Sequence, residues 1–241
     1  MKIIKAANYE NMSKRAADLV YRELKEKQIQ VLGLATGGTP IGFYQEIIKE
    51  IQRDSLSLDW LYTVNLDEYI GLSPDHRNSY HAYMKKHFFQ YVDIPLEQQL
   101  LPDGMSADPD KEAKRYEKLV EELGVDLQIL GLGQNGHIGF NEPGSSFKGK
   151  TSVVDLAPST IDANARFFEA EEEVPKQAIT MGIATIMRSR KIILLASGAE
   201  KAEALKEVIT GEVTEKIPGT ILQQHLDITI IADKEALSLV E

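Results

Sequence analysis

The sequence predicts a Rossmann-like, doubly wound α/β fold, a mostly parallel sheet with helices on both faces. Three observations lead there. Apolar runs such as Leu127–Leu130 and Lys191–Ala196 read as strands buried on both faces. Between such runs lie longer stretches whose apolar residues recur at helical spacing, and this alternation implies a parallel sheet covered on both sides. No Pro/Ser-rich linker or shift in composition interrupts the 241 residues, so 1–241 reads as one domain.

Taken in order, Lys2–Lys5 is a short strand. From about Tyr9 to Lys27, the side chains of Met12, Ala16, Leu19, Val20 and Leu24 share one helical face. A strand at Val31–Ala35 runs into a glycine-rich turn and a helix from about Pro40 to Arg53. Tyr62–Leu66 is the next strand, and helices are expected over Asn78–Val92 and Pro109–Gly124. Leu127–Gly131 leads into the most unusual stretch of the chain, GLGQNGHIGFNEPG, which is too rich in glycine for a helix. Val153–Leu156 reads as a strand and Ile179–Ser189 as a helix. Lys191–Ala196 is a buried strand, and a helix follows Ser197 and Gly198 to about Thr210. Ile228–Ala232 and a short helix close the pattern.

Composition narrows the function classes. Hydrophobic residues at 43% and charged residues at 27% are ordinary for a globular chain. With no cysteine, disulfides, thiolate metal sites and a cysteine nucleophile are excluded. The start, MKIIKAANYE, has no long apolar stretch, and no run approaches the ~18–20 residues of a membrane span, so the expectation is a cytoplasmic protein without a membrane partner. A net charge of −10 argues against a nucleic-acid partner. It leaves room for a small anion, because backbone N–H groups and a few local cations can outweigh the overall sign.

Four strand-to-helix turns carry candidate chemistry. In Thr36-Gly37-Gly38-Thr39-Pro40, Thr39 suits an N-cap and Pro40 the first helical position. The turn is either a phosphate cradle at a helix N-terminus or only a well-capped turn, and it matches neither a dinucleotide nor a Walker motif. In Asn65-Leu66-Asp67-Glu68-Tyr69, a carboxylate at the end of a buried strand is placed to act as a general base. The alternative is that Asp67 caps a turn and Glu68 is solvated. In the glycine-rich stretch, His137 precedes Glu142 by five residues, a spacing that lets the carboxylate orient the imidazole for proton transfer between oxygens. No histidine spacing matches a zinc motif, so no metal is expected. Lys201, at the first turn of its helix, stands where the dipole favours acids, which a bound anion would explain; the alternative is a solvated lysine. Arg166 lies among apolar residues, as a second phosphate cation or as a stem packed over Phe167.

Together, LATGGTP, NLDEY, GQNGHIGFNEP, ANARFF and SGAEKA resemble the glucosamine-6-phosphate deaminases, over essentially the whole chain and most closely the shorter bacterial type. The resemblance implies conversion of glucosamine 6-phosphate and water to fructose 6-phosphate and ammonia, with no cofactor and no metal. It implies Asp67 as the base that moves a proton from C2 to C1, His137 as the ring opener and Glu142 as its carboxylate partner. Asn135 stands where many members carry aspartate. It supplies no charge but can hydrogen-bond, so the tuning of His137 should rest on Glu142. Thr36, Gly37, Gly38 and Thr39 match the sugar-phosphate loop, and Arg166 and Lys201 its cations. A lid is expected at about 156–175. The larger, hexameric members are activated by N-acetylglucosamine 6-phosphate through basic residues. This chain has Ser152 and Val154 there, with Lys150 nearby, and lacks their longer C-terminal tail, so a monomer or small homo-oligomer without that activation is expected. Two rivals are a 6-phosphogluconolactonase, which needs no C2 base, and a sugar-phosphate sensor, normally fused to a DNA-binding segment.

Overall fold

The computed structural model describes residues 1–157, 161, 168 and 174–240. Arg166 and most of the expected lid lie outside them. In chain order the elements are β1 (Lys2–Ala6), α1 (Tyr9–Lys25), β2 (Val31–Leu34), α2 (Ile41–Asp54), β3 (Tyr62–Asn65) and β4 (Asp67–Tyr69). They continue with α3 (Tyr80–His87), β5 (Gln99–Leu100), α4 (Pro109–Leu123), β6 (Leu127–Gly131), β7 (Ser152–Asp155) and β8 (Gln177–Thr180). Last come α5 (Ile183–Ile186), β9 (Lys191–Ala196), α6 (Ala202–Thr210) and β10 (Ile228–Asp233).

Seven parallel strands form the main sheet in the order β1-β10-β9-β6-β2-β3-β5. Its central strands are apolar on both faces, with Leu32, Ile129, Leu130, Leu194, Ile230 and Ile231 fully buried. Each such side chain contributes roughly 1.5–3 kcal/mol relative to exposure. The connections β1–α1–β2 and β2–α2–β3 move one way along the sheet, while those leaving β6 and β9 move the other way. Because crossovers are right-handed, α1 and α2 cover one face and α4 and α6 the other. The sheet is therefore doubly wound, as the alternation predicts. The direction reverses between the neighbours β2 and β6, and a crevice opens beyond their carboxyl ends.

The helices start and stop for local reasons. The Asn8 side chain accepts from Asn11 N at 2.9 Å to cap α1, which buries Met12, Ala16, Val20 and Leu24 four residues apart. Asp108 caps α4 in the same way, with Pro109 in its first turn.

Four expectations need correction. The stretch expected as one helix over Ile179–Ser189 is the strand β8 followed by the single turn α5. Its apolar residues fit either period, and pairing decided, because β8 is the central strand of a small antiparallel sheet ordered β4-β8-β7. The helix expected over Asn78–Val92 is shorter. Ser79 caps α3, and Phe88, at φ −143°, separates it from a 3-10 turn over Phe89–Tyr91. Pro40 rather than Thr39 occupies the N-cap of α2, with no side-chain cap bond. The chain beyond β10 forms turns and not a helix.

Candidate active site

The crevice at the switch point is built from the ends of β2, β3, β6 and β9. Beyond β2, the Thr36–Thr39 loop is held by tyrosine hydroxyls that take its carbonyls. Tyr44 donates to Ala35 O at 2.6 Å, Tyr83 to Gly37 O at 2.6 Å and Tyr9 to Gly38 O at 3.3 Å. Gly37 needs its φ of 98°, and a Cβ at either Gly37 or Gly38 would meet nothing within 4 Å. The loop thus faces open space at the start of a fourteen-residue helix, with its carbonyls turned to the protein. Nothing in the sequence marks these tyrosines as loop braces, since a tyrosine on a helix face reads equally well as core.

Beyond β3 the chain enters β4, whose first two residues are carboxylates of opposite character. Asp67 is 5% exposed, and among the described residues its carboxyl accepts no hydrogen bond. Burial, and then the neighbouring Glu68 charge, push it up to about 8. Glu68 is not solvated. It accepts from the backbone N–H groups of Tyr69 at 2.8 Å, Tyr80 at 2.9 Å and His81 at 3.0 Å. Its other contact is His81 Nδ1, at 2.8 Å. Tyr80 and His81 open α3, so Glu68 and not Asp67 satisfies a helix terminus.

Beyond β6, the glycine-rich loop aims side chains. His137 O accepts from Gly133 N at 2.9 Å, and a Cβ on Gly133 would lie 2.4 Å from the imidazole. Only glycine lets the ring pack there. His137 Nδ1 lies 3.4 Å from Glu142 Oε2, a charge contact too long for a good hydrogen bond. The Asn135 amide joins the two, donating to Glu142 Oε2 at 2.8 Å and accepting from His137 N at 3.2 Å. The loop then turns back on Asp67. Gly139 has φ 57°, and its Cβ position falls 3.5 Å from Asp67 Oδ2 and 3.2 Å from Thr180 Oγ1. Phe140 N donates to that same hydroxyl at 3.2 Å, and Asn141 Nδ2 to Met181 O at 2.8 Å. Because Thr180 pairs with Asp67 across β4 and β8, the small sheet joins the histidine loop to the buried carboxyl.

Beyond β9, Gly198 at φ 92° donates to Asp233, as does Ser197, and Lys201 follows at the N-cap of α6. Lys201 makes no ion pair among the described residues, and burial holds its ammonium below the usual lysine range. A half-buried cation without a counter-ion suits an anionic ligand. No cluster of three or more His, Asp or Glu placed to hold a metal occurs among the described residues. Among them too, no helix is long and apolar enough to cross a membrane.

Comparisons with known proteins bear on this arrangement. The family profile described as glucosamine-6-phosphate isomerases/6-phosphogluconolactonase matches residues 5–230. The chain is 56% identical over 241 residues to a glucosamine-6-phosphate deaminase of Geobacillus sp. (strain WCH70), covering all of this chain and 96% of that one. A solved monomeric glucosamine-6-phosphate deaminase superposes with a TM-score of 0.96 at 49% identity, over 99% of this chain and 100% of the other. A 6-phosphogluconolactonase from Trypanosoma brucei shares the fold, with a TM-score of 0.80 at 20% identity over 100% and 98% of the two chains. The chain therefore belongs to the glucosamine-6-phosphate isomerase/6-phosphogluconolactonase family.

Proposed function

We propose that this protein converts glucosamine 6-phosphate and water to fructose 6-phosphate and ammonia, a step of amino-sugar breakdown. The observation that carries the reading is the Asp67 carboxyl, buried against the Gly139 turn of the histidine loop and accepting no hydrogen bond among the described residues. Lactone hydrolysis has no use for a carbon base there, whereas aldose–ketose isomerisation depends on one.

In this reading the N–H groups of Thr36, Gly37, Gly38 and Thr39, with Lys201 and Arg166, hold the phosphate and position the flexible open chain. His137, oriented by Glu142 and Asn135, moves a proton from the C1 hydroxyl to the ring oxygen and opens the pyranose. Asp67 takes the C2 proton and returns it at C1 through a cis-enolamine. Water then adds to the C2 imine and ammonia leaves. A carboxyl pushed up to about 8 by burial makes Asp67 a strong base for a carboxylate, and a protonated C2 amine beside it would favour the ionised form.

The assay is ammonia and fructose 6-phosphate measured together from glucosamine 6-phosphate. Equal yields that vanish in Asp67→Asn support the proposal, and sugar-phosphate binding without ammonia would replace it with a sensor. We also read 1–241 as one catalytic domain, supported by a single main core that runs from α1 to β10. A monomer or small oligomer in the cytoplasm, without activation by acetylated sugar phosphate, completes the proposal. The monomeric deaminase that it superposes on supports the first part.

A further inference from the structure

We propose that Glu68 is a positioning residue for this reaction, locking the strand that carries the base to the helix that braces the phosphate loop. The inference rests on the deaminase reading and adds to it a residue that touches neither substrate nor reacting atoms. The juxtaposition is direct. Glu68 follows Asp67 in β4, is 1% exposed, and its carboxylate is filled by the N–H groups of Tyr69, Tyr80 and His81 and by His81 Nδ1. Two of those N–H groups are the first of α3. The same helix carries Tyr80, whose hydroxyl donates to that of Tyr69 at 3.3 Å, and Tyr83, whose hydroxyl holds Gly37 O at 2.6 Å. One carboxylate therefore ties the strand that carries the proposed C2 base to the helix that braces the proposed phosphate cradle.

The charge also reaches the base. Among the described residues, the titratable groups facing Asp67 are Glu68 and Tyr69 on β4, Tyr80 on α3 and Tyr116 on α4. The three tyrosines are held above their ordinary range by burial and stay neutral, which leaves Glu68 as the one charge raising Asp67.

The test is steady-state kinetics against pH for Glu68→Gln, Glu68→Asp and His81→Ala, beside the wild type. Glu68→Gln loses the charge and sets an amide donor against donors. Its kcat/KM should fall about 10²-fold, the scale of a small misplacement, and the acid limb of its profile should move to lower pH. Glu68→Asp keeps the charge but is one methylene short. Its acid limb should stay in place while KM rises. His81→Ala removes one of four partners and should raise KM by about 3–10-fold. Wild-type kcat/KM and an unmoved limb in Glu68→Gln would overturn the inference, as would lost activity with both limb and KM unchanged. If Glu68→Gln does not fold, a wild-type KM in the other two variants overturns it. A wild type that releases no ammonia would instead sink the deaminase reading itself.

Discussion

Two carboxyls with little exposed surface have been driven in opposite directions. Asp67 at the crevice is 5% exposed and rises to about 8, while Glu117 on α4 is 7% exposed and falls to about 2. Burial acts upward on both. It is deeper at Asp67, and the partners differ as well. Glu117 accepts from Thr151 N at 3.1 Å, Thr151 Oγ1 at 2.6 Å, Thr185 Oγ1 at 2.7 Å and Arg188 at 2.5 Å. Asp67 has none among the described residues. Lys201 repeats the pattern on the cationic side, half-buried and in no ion pair among the described residues. In this molecule a satisfied charge ties elements together, and under the proposed function an unsatisfied one at the crevice is left for the substrate.

The largest expected effect comes from supplying Asp67 with an uncharged substitute. Asp67→Asn should lose at least about 10³-fold in kcat, because it removes the carbon base itself. Stability should move the other way. A carboxyl that titrates at about 8 folded and 3.8 unfolded makes folding less favourable as pH rises from about 4 to 8. That difference corresponds to ~5 kcal/mol, against ~1–3 kcal/mol for burying an unpaired amide. The variant should therefore melt higher than wild type near pH 8, with the gain shrinking towards pH 4. A gain that does not change with pH would show that Asp67 titrates normally. In the wild type, kcat/KM should climb with pH and level off near 8. A flat profile from pH 5 to 8 would contradict the unpartnered carboxyl.

Lys201→Met is next. Removing a charge-assisted contact to phosphate costs ~1.5–3 kcal/mol, so KM should rise roughly 10–100-fold with kcat less affected. Wild-type KM would mean that Lys201 is only a buried stem. Glu117→Gln should leave kcat and KM alone and cost ~1–3 kcal/mol in denaturant unfolding at pH 7. Because the folded value is depressed, that stability is present above about 4.5 and disappears as pH falls towards 2. An equal deficit at pH 7 and pH 2.5 would break the comparison from its structural side.

Much of this site was legible in the sequence because strand ends are. An apolar run followed by glycines fixes where side chains such as His137 emerge, and the α/β alternation fixes that they emerge on one edge. The motif resemblance supplied the roles, and the structure put Asn135, His137 and Glu142 within mutual reach. What stayed hidden was non-local. The role of Glu68 depends on a helix that starts twelve residues later, and the strand β8 depends on pairing with β4 more than a hundred residues earlier. Thr39 misled for the same reason. Its residue type suits a cap, but the tyrosine braces set the turn and pushed the N-cap on to Pro40.

Those braces give the smallest effect and the finest test of the rule. Among the described residues the Tyr83 hydroxyl donates to Gly37 O of the proposed phosphate loop, so it is a satisfied group whose partner is the cradle. Tyr83→Phe removes one neutral hydrogen bond, worth ~0.5–1.5 kcal/mol, and should raise KM by roughly 2–10-fold while the acid limb stays where Asp67 puts it. The loss should appear equally for inorganic phosphate acting as a competitive inhibitor, because the loop and not the sugar has been loosened. If phosphate inhibition is unchanged while the KM for the amino sugar rises, Tyr83 acts on the sugar directly, and the division between groups that hold the protein and groups that wait for substrate would have to be redrawn at this loop.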